Sequence, residues 1–465
     1  MKIRPGQARP GSIVARLAGA PISHQPQPKE PFNPMRIAIP QDSERFGAVL
    51  IHSVQQVWEL DAGLKRKKPG NSDLEIIRRI AYEELHDIEQ HMAIVVPIRG
   101  ERIKLVEGVL AGIPNNCLVI IASNSSRDPV DRFALEREAF ARLAKFTGKQ
   151  ILVVHQKDKT IAEAFCRSGY DEILDPQTGL VRSGKAEGMI VATLLARLAG
   201  RRYIGFVDSD NYFPGAVLEY VREYAAGFVM SRSSHVMVRI AWHSKPKIVK
   251  DSLFFAKWGR TSRNTNRLLN SLMGEYTGFE TEIIKTGNAG EHALTMNLAM
   301  QLGYSSGYSI EPYHYINLFE QFGGLEGSTL RKKQIQQHVE VFQIASRNPH
   351  MHDTSKGEEH IDDMTYAAMQ VIYHSSICPK GLKDELLDDM RRMKLLEADA
   401  EPENVTYYRP LREIDLPVFH ERLDGRYYAD LLVPSSQHKS LPKLETMSKG
   451  AHSDLVIQQS NVKEI

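Results

Sequence analysis

Short, nearly unbroken apolar runs alternate with longer amphipathic stretches through the first half of the chain. Ala93–Ile98 (AIVVPI), Cys117–Ser123 (CLVIIAS), Gln150–His155 (QILVVH) and Tyr203–Asp208 (YIGFVD) are such runs. Their length and β-branched content predict strands buried on both faces. Residues 101–112, 131–147, 160–169 and 187–199 carry helical spacing. Residues 71–92 also read as an amphipathic helix, capped by Asn71 or Ser72, with Ile76, Ile77, Ile80, Leu85 and Ile88 as its apolar face. Strand–helix alternation predicts βαβ units. Right-handed crossovers then place helices on both faces of a mostly parallel sheet, an α/β class.

Beyond about residue 250 the pattern turns helical, with helices predicted over 261–275, 290–302, 329–345, 361–377 and 381–396. Periodic hydrophobicity begins near Met35. Residues 1–34 are rich in Pro, Gly and Gln and predict poor order. From about 399 the chain is polar and punctuated by Pro and Gly, and 435–465 reads as a solvated tail. The predicted division is a 1–34 extension, an α/β half over 35–250, a helical region over 251–398, and a partly disordered extension over 399–465.

Composition narrows the function classes. The 465 residues are 42% hydrophobic and 25% charged, with a formal net charge of +2. That balance argues against nucleic acid or an anionic membrane as partner. Cys117, Cys166 and Cys378 are far apart and form no CxxC pair, which excludes a disulfide scaffold and a cysteine-rich zinc site. No apolar stretch reaches the roughly 18 residues needed to span a bilayer. The basic N-terminus lacks the apolar core of a secretory signal. A reducing cytoplasm fits these features.

In open α/β sheets ligands bind beyond the carboxyl ends of the strands. Pro97, Arg99 and Glu101 follow the first run, and Ser123 and Asn124 end the second. Gln156 and Lys157 follow the third, and Asp208, Ser209 and Asp210 the fourth. Four polar strand ends together predict a nucleotide-sized site. The Asp208-Ser209-Asp210 triplet carries the chemistry. Residues two apart on a strand project to one side, and two adjacent carboxylates repel unless a cation relieves them. Hard oxygen donors suit Mg²⁺ or Mn²⁺, which can neutralise a leaving diphosphate. The competing reading is an Asx turn or cap before a helix opening at Pro214.

Two glycine-containing segments add candidates. Arg182-Ser183-Gly184-Lys185 precedes a helix and brings positive charge to a permissive backbone. It matches neither a Walker A nor a dinucleotide fingerprint. Thr286-Gly287-Asn288-Ala289-Gly290-Glu291-His292 also reads as a helix opening, suited to an anion or simply to capping. His350 and His352 in PHMHD offer an imidazole to the aspartates, or a plain surface pair.

The order and number of these segments give a resemblance. RFGAV (45–49), VPIRGER (96–102), HQKD (155–158), RSGKAEGM (182–189) and YIGFVDSDNYFPGAV (203–217) match the mannosyl-3-phosphoglycerate synthases. So do YAAGF (224–228), TGNAGEHALTM (286–296), GYSIEPY (307–313) and NPHMHD (348–353). The resemblance runs from about Met35 to about residue 395, leaving the first 34 and the last roughly 65 residues outside it. It implies a GT-A-type fold, a Rossmann-like mixed, mostly parallel sheet with a nucleotide-sugar-binding half over 35–250 and an acceptor-binding region over 251–398, and transfer of mannose from GDP-mannose to the 2-hydroxyl of 3-phosphoglycerate with retention. It also implies a divalent cation and a homodimer. By motif, Asp208, Asp210 and His350 fall on the family's metal ligands. Asp208, Asp210 and Lys185 fall on its catalytic groups. Pro97, Arg99, Glu101, Ser123, Asn124, Gln156, Lys157, Lys185 and Asp208 fall on the donor side. Arg182, Ser183, Gly184, Thr286, Gly287 and Asn288 fall on the acceptor side. The chain departs from the family in reading Asp-Ser-Asp for Asp-Ala-Asp, and Met351 for an aromatic. Neither change removes a ligand atom. The competing functions are glucosyl-3-phosphoglycerate synthesis, another sugar-nucleotide transfer, nucleotidyl transfer, and non-catalytic nucleotide binding.

Overall fold

A computed structural model describes residues 35–59, 77–211, 213–249, 252–256, 259–324, 338–351, 357–423 and 425–433. The predicted N-terminal extension and the 435–465 tail lie outside the described residues. Seven strands frame the site: β1 (Met92–Ile98), β2 (Leu118–Ser123), β3 (Gln150–His155), β4 (Tyr203–Phe206), β5 (His235–Ala241), β6 (His292–Thr295) and β7 (Val339–Ala345). In space they run β3-β2-β1-β4-β6-β5-β7 within a 13-stranded sheet. β3, β2, β1 and β4 are mutually parallel, with Ala93 facing Leu118 and Ile204 in register. β6 is antiparallel to both neighbours, pairing His292 with Phe206 and with Arg239. β5 and β7 are parallel. The α/β class and the mixed sheet agree with the sequence expectation.

The apolar runs are buried on both faces, as their lack of alternation requires. In β2, Leu118, Ile120 and Ala122 join one hydrophobic cluster, and Val119 and Ile121 join the other. Each fully buried Leu, Ile or Val contributes about 1.5–3 kcal/mol by leaving water. The helices covering these faces include α1 (Lys185–Leu198), α2 (Pro214–Met230), α3 (Arg260–Thr277) and α4 (Ile310–Phe322). α2 opens with Pro at its first turn, where the missing N–H costs no hydrogen bond.

Three helix expectations are corrected. Within 71–92, Ile77–Ile80 is an edge strand antiparallel to Met35–Ala38, and the helix spans only Tyr82–Gln90. Residues 71–76 lie outside the described residues. Ile77 and Ile80 share both a helical spacing and a strand's tolerance, and pairing with Met35–Ala38 decides between them. Within 290–302 the chain first forms β6, then a short helix over Met296–Gln301. The TGNAGEH segment therefore opens a strand and offers no helix N-terminus. Within 329–345 the described part is β7, buried at every position. Glu340 and Gln343 interrupt its apolar run. Both are satisfied inside: Glu340 accepts from Arg232 N at 3.0 Å, and Gln343 Nε2 donates to the His52 and Ile283 carbonyls at 2.9 and 2.8 Å.

The chain after 399 returns to the sheet. Asp415 caps a Leu416–Arg422 helix, and Leu432–Val433 pairs antiparallel with β3. Among the described residues no helix is long and apolar enough to cross a membrane.

Candidate functional site

A cavity of about 530 Å³ opens beyond the carboxyl ends of β1, β2, β3 and β4. Pro97, Arg99, Glu101, Asn124, Gln156, Ser183, Gly184, Lys185, Asp208 and Asp210 all line it. An adjoining recess of about 910 Å³ shares Arg99, Asn124 and Ser183 and adds Arg127, Arg132 and Lys157. In this cleft the recess carries most of the basic side chains, and the cavity carries Asp208 and Asp210. A separate cavity of about 960 Å³, on α3 and the Lys380–Arg392 helix, carries none of the candidate residues.

The aspartates owe their display to a turn rather than to strand alternation. β4 ends at Phe206, and Asp208–Asp210 lie beyond it. Ser209 is buried while both carboxylates reach the cleft. Asn211 pins the turn by donating to the Asp208 carbonyl at 3.0 Å. Lys185, the first residue of α1, places Nζ 2.7 Å from Asp208 Oδ1 and 2.7 Å from Glu311 Oε1. Burial disfavours its charge, but the two carboxylates outweigh burial and hold the ammonium well above the ordinary lysine range.

Two glycines make room for this arrangement. A Cβ at Gly184 would stand 1.9 Å from Glu187 Oε2. Glu187 is itself fixed by Ser306 Oγ and the Tyr408 hydroxyl, each donating at 2.6 Å. A Cβ at Gly290 would stand 2.5 Å from Asp208 Oδ2. The predicted close approach of backbone is thus realised against protein carboxylates.

Other candidates sit behind the cleft wall. Ser123 is fully buried and donates to Glu136 at 2.8 Å. Arg182 offers its carbonyl to Gln156 Nε2 and turns Nε toward the Glu172 carbonyl at 3.4 Å. Thr286 is within hydrogen-bonding distance of the Tyr315 hydroxyl, 2.9 Å, and of Gln343 Oε1, 2.8 Å. Gly287 N donates to Asn266 Oδ1 at 2.7 Å. Asn288 is buried, with neither amide atom paired among the described residues. Beneath this loop the buried Arg239 guanidinium donates to the Thr286 and Gly287 carbonyls at 2.8 and 3.2 Å, over the Tyr315 ring.

His350 is buried rather than displayed as a surface histidine. It stacks on Trp242, with centroids 4.4 Å apart, and Nδ1 is 4.0 Å from Glu291 Oε2. His352 lies outside the described residues. Two carboxylates on one cleft wall, with the His350 imidazole linked to their turn through Glu291 and Asn211, suit a hard divalent cation by donor type. Among the described residues no three His, Cys, Asp or Glu side chains are grouped so as to hold a metal ion as they stand. Glu291 and Glu311 were not selected from the sequence. Glu311 is a lone acid in the apolar run IEPYHYINLF, a pattern that signals a buried partner, here Lys185. Glu291 is fully buried, and burial together with the nearby Asp208 charge pushes its carboxyl up to about 7.

Comparison with known proteins places the chain in a family. A family model described as mannosyl-3-phosphoglycerate synthase matches residues 39–423. The match runs past residue 395, where the motif resemblance had ended. The added segment holds Tyr408, whose hydroxyl supports Glu187 under the α1 N-terminus. A mannosyl-3-phosphoglycerate synthase of Pyrococcus furiosus is 44% identical over 82% of this chain and 95% of its own. One of Aeropyrum pernix is 36% identical over 85% of this chain and all of its own. Among solved structures, mannosyl-3-phosphoglycerate synthase from Rubrobacter xylanophilus is 15% identical, with a TM-score of 0.41, over 71% of this chain and 93% of its own. Glucosyl-3-phosphoglycerate synthase from Mycobacterium tuberculosis, in complex with Mn²⁺, UDP and phosphoglyceric acid, gives the same identity and TM-score over 74% and 96%. The chain belongs to the mannosyl-3-phosphoglycerate synthase family.

Proposed function

We propose that this protein transfers mannose from GDP-mannose to the 2-hydroxyl of 3-phosphoglycerate with retention, giving mannosyl-3-phosphoglycerate for compatible-solute synthesis in the cytoplasm. The observation that carries the reading is the cleft itself: Asp208, Asp210 and Lys185 converge beyond parallel strand ends in a member of this family. The basic recess with Arg99, Asn124 and Lys157 takes the nucleoside end of the donor. Pro97, Glu101 and Gln156 line the same cavity as the aspartates. Asp208, Asp210 and His350 would hold the divalent cation, Mg²⁺ or Mn²⁺. When bound, such an ion neutralises negative charge on the leaving diphosphate.

The remaining chemistry falls to the protein's own groups. Lys185 faces the same developing charge, at a position already fixed by Asp208 and Glu311. An oriented charged donor of this kind is worth about 10²–10³ in rate. Holding donor and acceptor together supplies roughly 7–11 kcal/mol more. The sugar C1–O(phosphate) bond breaks as a bond forms from C1 to the glycerate 2-oxygen on the same face. The hydroxyl proton passes to the leaving phosphate oxygen, so no protein base is required. A mannosylated carboxylate trapped on the enzyme and found by mass spectrometry would contradict that route. The acceptor is assigned to the part of the cleft wall carrying Ser183 and Gly184, with Arg182 and the 286–288 loop behind it, and the active species to a homodimer.

Asp210→Ala tests the reading. Deleting a charged ligand in a turn should leave the fold intact and lower turnover by about 10²–10³. Full activity in that variant would refute the cation assignment.

A further inference from the structure

One carboxylate joins the two separated parts of the proposed cation site without lining the cleft. Glu291, fully buried in the turn entering β6, accepts from Asn211 Nδ2 at 3.0 Å through Oε1. The same Asn211 amide donates to the Asp208 carbonyl, so Glu291 reaches the aspartate turn through one residue. Its Oε2 accepts from Trp242 Nε1 at 2.9 Å, and the Trp242 ring is the one on which His350 lies, with 21° between the planes. His350 Nδ1 is 4.0 Å from that Oε2 and 3.4 Å from the Tyr220 hydroxyl.

A second buried carboxylate holds the histidine's backbone separately. Glu219, on α2, accepts from Arg347 N at 2.6 Å, from Asn348 N at 2.9 Å and from Asn348 Nδ2 at 2.7 Å. His350 N donates to the Ser244 carbonyl at 2.8 Å. The turn carrying His350 is therefore anchored without Glu291. Buried carboxylates are costly unless their charge is used. Two neutral donors, an amide and an indole, do not require a full negative charge. A cation-binding imidazole does profit from one, because a carboxylate behind its other nitrogen fixes the ring and raises its basicity.

We infer that Glu291 is a positioning residue for the cation site, an inference that rests on the proposed function. It holds the Trp242 ring on which His350 lies and faces Nδ1 across 4.0 Å, leaving Nε2 for the ion, and through Asn211 it fixes the turn that presents Asp208 and Asp210. It touches neither substrate nor the reacting atoms.

The test is Mn²⁺ binding measured by calorimetry with GDP present, which requires no sugar transfer. Glu291→Gln keeps the side chain's size and removes its charge. It should bind Mn²⁺ about 10–100-fold more weakly, with the melting temperature of the metal-free protein little changed. Saturating Mn²⁺ should restore much of kcat and leave the KM for 3-phosphoglycerate unaltered. The effect should shrink when His350→Ala is already present, because the two act through one ring. If Glu291→Gln does not fold, Trp242→Phe keeps the stacked ring and frees Oε2, and a several-fold loss of Mn²⁺ affinity is expected there. Unchanged Mn²⁺ affinity in a folded Glu291→Gln or Trp242→Phe protein overturns the inference alone. A wild-type protein that binds no Mn²⁺ with GDP overturns the proposed function along with it.

Discussion

Lys185 Nζ lies 2.7 Å from Asp208 Oδ1, so the first residue of one helix meets the first aspartate of a turn on another strand. Glu311 holds the same ammonium from the far side at 2.7 Å. Lys185→Met removes the positive charge and leaves the two carboxylates facing each other. Turnover should fall about 10²–10³-fold, while circular dichroism remains that of the folded protein. Wild-type kcat in this variant would show that the lysine only balances charge.

Gly290→Ala tests the tolerance of the aspartate's surroundings. The added methyl would stand 2.5 Å from Asp208 Oδ2 and 3.4 Å from Lys185 Nζ. Gly290 is absent from the positive-φ positions, so alanine meets no backbone strain. The carboxylate must move instead. The expected result is at least about a tenfold loss of kcat, since misplacement of about 1 Å can cost 10²-fold. Steady-state kinetics beside a melting curve separate this from unfolding.

Arg239 tests the acceptor side. Its buried guanidinium holds the Thr286 and Gly287 carbonyls, and burial lowers its pKa from the usual arginine value. Arg239→Met leaves two carbonyls without those donors, at about 1–3 kcal/mol each. The KM for 3-phosphoglycerate should rise about tenfold with the KM for GDP-mannose unchanged. A rise in the donor KM alone would move the 286–288 loop to the donor side.

His235 gives a pH dependence of stability away from the cleft. Burial lowers its pKa from 6.5 to about 4. The unfolded chain therefore takes up a proton below pH 6.5 that the folded protein refuses until about pH 4. This stabilisation is present above pH 6.5 and is lost as pH falls toward 4, a change of about 3 kcal/mol. Urea titrations across that window should show a shallower loss for His235→Gln than for the wild type. Parallel pH slopes would contradict the assignment.

Much of this was legible in the sequence, for a physical reason. AIVVPI, CLVIIAS, QILVVH and YIGFVD lie in four adjacent strands covered on both faces, so their apolar runs needed no tertiary information to interpret. Their carboxyl ends supplied ten of the cleft's candidate positions, directly or through the RSGK segment that follows. β6 and β7 were misread because their neighbours come from distant sequence: β6 inserts antiparallel between β4 and β5, and β7 buries Glu340 and Gln343 against remote backbone. Glu291 escaped notice for the same reason. Its role depends on Asn211, Trp242 and His350, which no local period brings together.

The most direct measurement is a product assay with purified protein, 3-phosphoglycerate and Mg²⁺, comparing GDP-mannose with GDP-glucose and UDP-sugars. The account predicts mannosyl-3-phosphoglycerate from GDP-mannose, abolished by EDTA and by Asp210→Ala. Product from a glucosyl donor in preference, or transfer that survives EDTA, would contradict it.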